Sequence, residues 1–290
     1  MKMTERIPAP APETITRNRV MANFPIRPRD SHKGMFGTVA VLGGASGTIG
    51  APLLAARAAL KLGAGSVHVG LLAENAPVVD AVQPELMLHS VKTLLQLPGV
   101  NAVAIGCGLG TSIEARGFLH EALVSDVALV IDADALNLLA RQPDLRVLLH
   151  NRRQATVLTP HPGEAARLLG CESREIQSDR SAAVRQLAQK FSCSAVLKGA
   201  DSLCATRDGK LFVNRTGNPG MSSAGMGDVL TGMIAAFIAQ GMTADNAMLL
   251  AVHLHGAAGD ALAGQGIATG MTASDVTESA RLLLNQWLGN

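Results

Sequence analysis

The chain has 290 residues, of which 48% are hydrophobic and 30 are glycine, with 25 Lys and Arg against 23 Asp and Glu. This balanced charge, together with one Trp and no Tyr, argues against nucleic-acid binding, which uses basic surfaces and aromatic platforms. The four Cys lack metal-ligand spacing, and no apolar run is long enough for an export signal or a bilayer span. A cytoplasmic enzyme acting on a small molecule is therefore expected.

The first 30 residues have a composition of their own. They contain Pro8, Pro10, Pro12, Pro25 and Pro28, several arginines and few large apolar side chains. Proline restricts φ and removes a hydrogen-bond donor, so this segment disfavours both helix and sheet. The sequence predicts an extended arm over residues 1–30, followed by a single catalytic domain over 31–290.

From residue 38 onward, short β-branched apolar runs alternate with longer Ala- and Leu-rich segments of helical period. The alternation predicts an α/β fold with a mainly parallel sheet. Strands are predicted over 38–42, 66–71, 102–105, 128–131, 156–159 and 195–198, and helices over 51–62, 164–169, 181–190, 228–240 and 272–288. A hairpin is predicted between 206–210 and 211–214, with turn chemistry at 207–209. Ligands of such sheets gather where the strands end.

Glycine-rich turns follow the first and third predicted strands, with the sequences GGASGTIGA over 43–51 and GCGLG over 106–110. Neither has the spacing of a dinucleotide fingerprint or a P-loop. Each is either a tight strand-to-helix turn or a stretch of main chain without large side chains, which a bulky substrate can approach closely.

Acidic residues and a histidine follow the next two strands. Asp132 and Asp134 lie at the expected ligand edge, although Asp134 also suits the cap of the next helix. His161 stands between two prolines outside regular structure, which favours substrate contact over a core role. Glu164 either offsets a helix dipole or holds a magnesium-bound water near phosphate.

Two further features concern cations. Lys198 follows an apolar strand and precedes Gly199, which suits a nucleotide phosphate or ribose; the alternative is a solvated charge at a strand end. His253 and His255 stand two residues apart in an Ala/Leu helix, so they point to different faces. They are predicted to be structural rather than metal ligands.

The strongest signal is NPGMSSAGMGD over 218–228, which leads directly into a helical apolar pattern. Gly220, Gly225 and Gly227 expose backbone N–H groups to an anion, and the helix adds its positive end. Asp228 is either the helix N-cap or a general base, and the second reading is favoured because a carboxylate in an anion-binding loop is unfavourable unless it accepts a proton. The predicted anion hole consists of Gly225, Met226 and Gly227.

Together these motifs resemble the ADP-dependent NAD(P)H-hydrate dehydratase family of the ribokinase-like superfamily. The resemblance rests on HKG at 32–34 with GG at 43–44, DADALN at 132–137, HPGE at 161–164, KGA at 198–200 and the 218–228 segment, and it covers most of the chain. It implies a three-layer α/β/α fold and dehydration of NADHX or NADPHX to NADH or NADPH. The reaction consumes ADP and releases AMP and phosphate, and Mg²⁺ is expected.

The resemblance also implies roles for individual residues. Its substrate contacts are Ala51, Gly108, His161 and Asp228, and its adenine-nucleotide contacts are Lys198, Gly199, Ala200, Asp201, Ser202 and Gly227. Three positions depart from the family pattern: Met226 stands in place of Thr, Ala224 in place of Gly and Cys107 in place of Pro. A homo-oligomer, a tetramer by resemblance, is expected, and a separate NAD(P)H-hydrate epimerase is expected because only the short arm precedes the match.

Two other functions compete with this interpretation. A ribokinase-like small-molecule kinase would share the anion hole and base but use ATP on an alcohol; the HPGE segment and the two Gly-rich turns suit a large dinucleotide better. A nucleotide-sensing protein without turnover is the other alternative, and the intact Asp228 argues against it.

Overall fold

The computed structural model describes residues 11–289. Its strands form one sheet in the order β1-β10-β9-β8-β7-β6-β5-β2-β3-β4. All neighbours are parallel except β9, which is antiparallel to both β8 and β10. The strands are β1 (Glu13–Thr14), β2 (Thr38–Gly43), β3 (Ser66–Leu71), β4 (Met87–Ser90), β5 (Ala102–Ile105), β6 (Ala128–Ile131), β7 (Thr156–Leu158), β8 (Ser194–Leu197), β9 (Leu203–Ala205) and β10 (Leu211–Val213).

Helices follow most of the strands. They are α1 (Arg17–Met21), α2 (Gly50–Lys61), α3 (Val91–Leu94), α4 (Ile113–Val124), α5 (Ala133–Arg141), α6 (Pro143–Asn151), α7 (Pro162–Leu169), α8 (Ser173–Ser178), α9 (Arg180–Phe191), α10 (Met226–Ala239), α11 (Ala244–Gly264) and α12 (Ala273–Gly289). Within residues 11–289, no helix combines the length and apolar character that a bilayer span requires.

The sheet separates two apolar layers. Along β2, Val39 and Val41 face the layer that includes α2, α10, α11 and α12. Ala40 and Leu42 face the opposite layer, which includes α4 to α7 and α9. This alternation is the two-residue period of a strand that is buried on both faces. The predicted three-layer α/β/α fold is confirmed.

All six predicted strands are present, with ends within one residue of those expected. The hairpin is also present, but its first strand was misplaced. Residues 206–210 form the turn, where Thr206 Oγ1 accepts a hydrogen bond from Lys210 N at 3.0 Å, and the strand that precedes it is β9. The prediction thus assigned the polar turn residues 206–210 to a strand, whereas the strand lies just before them in the chain, at β9.

The prediction that the N-terminal segment avoids helix and sheet is wrong for residues 13–14 and 17–21, while residues 22–30 contain neither a helix nor a strand. β1 pairs in parallel with β10, and α1 is capped by the Thr16 side chain. Ile15 and Val20 are buried, so these apolar side chains anchor the segment against the domain despite the prolines around it. Residues 1–10 of the predicted arm, including Pro8 and Pro10, lie outside the described residues.

The buried helix α10 brings the glycine motif to the sheet. A Cβ at Gly232 would lie 1.9 Å from the Ala55 carbonyl oxygen, so this glycine permits close packing of α10 on α2. The strand order reverses between β5 and β2, which places a crevice at their carboxyl ends. α10 begins beside that edge of the sheet.

Candidate active site

The helix α10 begins at Met226, two residues before the predicted start. Its N-cap is Gly225, at φ 87°, so the alternative that Asp228 is the N-cap is wrong. The first N–H groups of a helix have no partner within it, which leaves those of residues 226–228 directed out of the helix end. Gly220 does not join them, because its N–H donates to Asn218 Oδ1 at 3.0 Å. The structure therefore removes Gly220 from the candidate anion hole and leaves the predicted residues 225–227 at the start of the helix.

Gly225 is required by both its conformation and its surroundings. An ideal Cβ there would lie 2.5 Å from Leu54 Cδ1 and 3.0 Å from Ala273 Cβ. We expect Gly225→Ala to lower the free energy of unfolding by about 2–4 kcal/mol, from left-handed strain and overpacking together. Urea unfolding provides the measurement.

Gly241, just beyond the other end of α10, is the matched control. It has φ 94° but open space around its Cβ position. Gly241→Ala should therefore lose only the conformational part, about 1–2 kcal/mol. Equal losses for the two variants would show that the contacts with Leu54 and Ala273 are unimportant.

A buried ion pair lies beneath the helix start. Lys198 Nζ donates to Asp132 Oδ1 at 2.7 Å, and Thr231 Oγ1 donates to Asp132 Oδ2 at 2.9 Å. Burial alone would lower the pKa of Lys198, but Asp132 and Glu164 outweigh it and raise that pKa. Lys198 Nζ is 3.1 Å from the position of a Cβ on Gly227. The lysine is thus a charged support for the anion hole, not the solvated strand-end charge of the alternative interpretation.

The two aspartates after β6, Asp132 and Asp134, form hydrogen bonds that differ from the capping arrangement considered from the sequence. Asp132, not Asp134, caps α5, because its Oδ1 accepts from Ala133 N at 2.8 Å. Asp134 Oδ2 accepts from Gly110 N at 2.8 Å. Asp134 therefore fixes the glycine turn that follows β5, and the idea that it caps the helix is wrong.

His161 and Glu164 cap α7 together. Glu164 Oε2 accepts from His161 N at 2.8 Å, while His161 Nδ1 accepts from Gly163 N at 3.0 Å. Burial raises the pKa of Glu164, Lys198 opposes this shift, and Asp132 adds to it. The His161 side chain remains exposed, with Nε2 3.3 Å from Glu164 Oε1. One ring nitrogen of His161 and one carboxylate oxygen of Glu164 are thus engaged in the cap of α7.

Asp228 is the third residue of α10 and is partly buried. Burial raises its pKa to about 6, and the carboxylates of Asp132 and Asp134 add to the effect. A hydrogen bond from the Cys107 thiol and the charge of Lys198 act in the opposite direction. At neutral pH the carboxylate is therefore ionised and still basic enough to accept a proton.

The glycine turns after β2 and β5 contact one another. Thr48 Oγ1 donates to the Gly108 carbonyl at 2.9 Å, and the Ala51 N–H donates to the Thr48 carbonyl at 3.2 Å. Gly108 has φ 58°, and a Cβ there would lie 2.6 Å from the Thr48 carbonyl oxygen. The structure thus brings Ala51 and Gly108 together at the crevice, next to the Cys107 neighbour of Asp228.

A cavity of about 510 Å³ lies beside the start of α10. Its wall includes all the predicted adenine-nucleotide contacts, Lys198, Gly199, Ala200, Asp201, Ser202 and Gly227, together with Met226. Ala51, Gly108, His161, Glu164, Gly225 and Asp228 are not part of this wall. The N-terminus of α10 therefore lines this cavity through Met226 and Gly227, while Asp228 interacts with Cys107 in the glycine turn after β5.

Sequence reasoning missed three contributors to this region. Thr231, one turn after Asp228, bonds Asp132, and a threonine within an apolar helix was its only signal. Asp260 fixes the loop over the cavity by accepting from Gly217 N and Asn218 Nδ2. His255 lines the cavity, although it was predicted to be structural. His253 fits that prediction, since it is buried 5.8 Å from the Trp287 ring.

This fold, with a glycine-capped helix at the carboxyl edge of the sheet, defines the ribokinase-like class. A ribokinase-like superfamily protein from Enterococcus faecalis has the same fold, with a TM-score of 0.83 at 26% identity, covering 98% of this chain and 99% of that one. The family model described as NAD(P)H-hydrate dehydratase matches residues 39–281. The chain belongs to the NAD(P)H-hydrate dehydratase family, and the resemblance seen in the sequence is confirmed.

Individual relatives agree with this membership. An ADP-dependent (S)-NAD(P)H-hydrate dehydratase of Neisseria meningitidis serogroup B is 44% identical, with 91% of this chain and 90% of the relative aligned. The ADP/ATP-dependent enzyme of Bacillus subtilis, co-crystallised with ATP/Mg²⁺, has a TM-score of 0.87 at 30% identity, covering 96% of this chain and 100% of that one. The bifunctional repair enzyme Nnr of Escherichia coli is 42% identical to this chain. The alignment covers 90% of this chain but only 50% of that relative.

Proposed function

We propose that this protein dehydrates NADHX and NADPHX to NADH and NADPH, using ADP and releasing AMP and phosphate. The observation that carries the proposal is the position of Asp228, a carboxylate with a pKa of about 6 in the first turn of a helix whose first N–H groups have no partner within the helix. The relatives named as NAD(P)H-hydrate dehydratases support the choice of substrate, and the neighbouring cavity supports a nucleotide as the second reactant.

The proposed reaction begins with activation of the ring hydroxyl, because hydroxide is a poor leaving group. The hydroxyl oxygen attacks the β-phosphorus of ADP, AMP departs, and Asp228 takes the hydroxyl proton. The N–H groups at 226–227 and the charge of Lys198 stabilise the phosphoryl oxygens during transfer. The lone pair of the ring nitrogen then expels phosphate, and loss of a proton from the adjacent carbon restores the dihydropyridine.

The carboxylates around Lys198 fit a magnesium ion held mainly by the nucleotide. Mg²⁺ prefers hard oxygen ligands and keeps several waters, so one or two carboxylates suffice. Within residues 11–289, no three His, Cys, Asp or Glu side chains form a metal cluster, and both oxygens of Asp132 already accept hydrogen bonds. Glu164, and secondarily Asp132, would therefore hold the ion through water. When bound, the ion would neutralise phosphate charge.

The remaining features of the proposal concern the setting of the enzyme. We expect a cytoplasmic homo-oligomer, with a tetramer as the first arrangement to test by light scattering. We also expect an epimerase activity in the same pathway to interconvert the hydrate epimers, because relatives named as bifunctional repair enzymes match this chain over about half of their own length. His161 is proposed as a substrate contact through the exposed part of its ring.

The proposed function can be tested directly. Purified protein, NADHX, ADP and Mg²⁺ should restore the absorbance of reduced nicotinamide, with one AMP formed for each NADH. Omission of ADP provides the control. Absence of recovery, combined with phosphorylation of a small alcohol by ATP, would identify a kinase instead.

The pH dependence of the reaction should report the state of Asp228. Because the base must be ionised, kcat/KM is expected to fall about tenfold per pH unit below the carboxyl pKa of about 6. The measurement is a kcat/KM profile from pH 5 to 8 at saturating ADP, with protein stability checked at each pH. A rate that stays constant down to pH 5 would exclude a base with this pKa.

A further inference from the structure

Two neighbouring helices direct polar side chains back towards the ligand edge of the sheet. α5 and α7 follow β6 and β7, so both helices begin at the carboxyl ends of parallel strands. The side chains of a helix tilt towards its N-terminus. Asn137 on α5 and Arg167 on α7 therefore reach towards that edge. They meet there, because Arg167 Nε donates to Asn137 Oδ1 at 2.9 Å.

A chain of hydrogen bonds connects Arg167 to the glycine turn after β5. Asn137 Nδ2 donates to Asp134 Oδ1 at 3.4 Å, and Gly110 N donates to Asp134 Oδ2 at 2.8 Å. Both oxygens of Asp134 are thus engaged within the chain. The guanidinium is therefore held in a defined position relative to the turn that contains Gly108, a predicted substrate contact.

The guanidinium also lies beside His161, another predicted substrate contact. A Cβ at Gly163 would lie 2.8 Å from His161 Cε1 and 3.8 Å from Arg167 Nη1, so the ring and the guanidinium flank the same position in the first turn of α7. Gly163 stands four residues before Arg167, which agrees with the tilt of helical side chains. The His161 side chain is half exposed and Arg167 is exposed, so a ligand can reach both.

Arg167 carries a charge that no carboxylate of the described residues neutralises. Within residues 11–289 its guanidinium makes one hydrogen bond, to the neutral amide of Asn137, and forms no ion pair. That bond uses Nε and leaves the terminal nitrogens Nη1 and Nη2 as donors. A guanidinium binds the oxygens of a phosphate through two parallel N–H groups, which is the chemistry that these nitrogens offer.

The positions of Gly108 and His161 indicate a long ligand. They follow β5 and β7, which are separated by β6. Adjacent strands lie about 4.8 Å apart, so a ligand that contacts both residues spans about 10 Å. An extended dinucleotide with its nicotinamide ring near Asp228 is long enough to bring its phosphates to this part of the edge.

We infer that Arg167 binds a phosphate group of the dinucleotide substrate through Nη1 and Nη2, and that Asn137 positions the guanidinium. The inference rests on the proposed function, because the phosphate belongs to NADHX or NADPHX. It is either the diphosphate of both substrates or the 2′-phosphate of NADPHX. Asp134 and Asp228 place negative charge along the same edge, so a cation is needed to attract an anionic dinucleotide.

Arg167→Gln tests the phosphate contact, and NADPHX is the substrate to measure first because it contains both kinds of phosphate. The variant is expected to raise KM for NADPHX about 10- to 100-fold at saturating ADP, since charge-assisted hydrogen bonds are lost. KM for ADP and kcat should stay within about twofold. Arg167 is exposed, so the variant should fold, which thermal unfolding verifies.

Two further variants separate the contact from net charge. Arg167→Lys keeps the charge but not the planar pair of donors, so it should recover part of the affinity. Arg141→Gln removes the same charge at the other end of α5 and should leave KM unchanged. The inference is overturned if Arg167→Gln leaves KM for NADPHX unchanged, if KM for ADP rises equally, or if Arg141→Gln has the same effect.

NADHX then identifies which phosphate is bound. An equal rise in KM for NADHX and NADPHX indicates the diphosphate, because both substrates contain it. A rise confined to NADPHX indicates the 2′-phosphate. Either result supports the inference and names the group that Arg167 contacts.

Asn137→Ala tests the positioning role. It releases Arg167 Nε without a change in net charge, so KM for NADPHX should rise by a smaller factor than in Arg167→Gln. Combined with Arg167→Gln it should add little, because Asn137 acts through Arg167. Losses that multiply in the double variant would overturn this role.

Calorimetric titration with NADPH, the expected product, tests the same contact without turnover. The affinity for NADPH should fall in Arg167→Gln and not in Arg141→Gln. If this difference appears in a protein that does not dehydrate NADPHX, the proposed function fails while the phosphate contact stands. A working dehydratase whose Arg167→Gln variant binds NADPH as the parent does would disprove the inference alone. A parent protein with neither activity nor dinucleotide binding would overturn both.

Discussion

Asp228→Asn is expected to abolish dehydration and at the same time to stabilise the folded protein. The amide keeps the size of the side chain but accepts no proton, so kcat should fall about 10²–10⁴-fold, the range found for general bases. The affinity for ADP should stay within a few fold, because the N–H groups at 226–227 and Lys198 remain. Steady-state rates and calorimetric ADP binding measure the two effects.

The gain in stability follows from the raised pKa of Asp228. A carboxyl group whose pKa is about 6 in the folded protein, against an ordinary 3.8, binds its proton more tightly when folded. Ionisation above pH 6 therefore opposes folding, by about 1–3 kcal/mol once partial solvent exposure is allowed for. Asp228→Asn removes this term, so its advantage should be largest above pH 6 and disappear as the pH falls towards 4.

Asp80 provides a control, because its ionisation is expected to favour folding, whereas ionisation of Asp228 opposes folding. Burial would raise its pKa, but hydrogen bonds from Arg57 outweigh that effect and lower it. Arg57 Nε donates to Asp80 Oδ2 at 2.8 Å, so Asp80→Asn should destabilise the protein at neutral pH. Urea unfolding at pH 4 and pH 8 compares the two variants. If Asp228→Asn loses stability at pH 8, or retains the parental rate, Asp228 is a structural residue and the proposed mechanism fails.

Lys198→Met is expected to produce the largest loss of stability. Asp132 is almost fully buried, and removal of its cation leaves an unpaired charge, which typically lowers the free energy of unfolding by about 3–5 kcal/mol. The same change removes the charge next to Gly227, so ADP affinity should fall at least tenfold. Urea unfolding and ADP titration measure both losses.

A second substitution separates the two roles of Lys198. Asp132→Asn combined with Lys198→Met removes the unpaired charge and should restore much of the stability, but not the affinity for ADP. Lys61→Met provides the surface control, since Lys61 Nζ pairs with the partly exposed Glu278 at 2.9 Å. That variant should change stability by about 1 kcal/mol or less. If Lys198→Met is as stable as Lys61→Met, the ion pair does not support the site.

Much of the fold was predictable because it depends on local patterns. Runs such as 102–105 and 128–131 are fully apolar, as expected for strands buried on both faces, and the glycine turns mark where strands become helices. β4 escaped prediction because it is an edge strand with exposed Met87 and part-exposed neighbours, which weakens its apolar pattern. β1 escaped because two residues acquire strand geometry only by pairing with β10.

The candidate site was predictable in residue type but not in arrangement. The glycines and Asp228 stand close together in the sequence, so their shared role could be inferred. The partners of Asp132 could not, because Lys198 and Thr231 lie 66 and 99 residues away. The cavity role of His255 likewise depends on how α11 packs against the loop over 214–218.

By itself, the sequence determined the α/β class, the family and the motif at 218–228. These features follow from residues that are close together in the chain. Hydrophobic periodicity indicates the strands and helices, and the positions of glycine indicate where the backbone turns. Only the tertiary structure decided which polar side chains are charged, which of them form ion pairs or hydrogen bonds, and which have no partner among the described residues. It raised the pKa of Asp228, buried the Lys198–Asp132 pair and, within residues 11–289, left Nε2 of His255 without a hydrogen-bond partner. Burial and charge pairing depend on long-range packing, which local spacing does not encode.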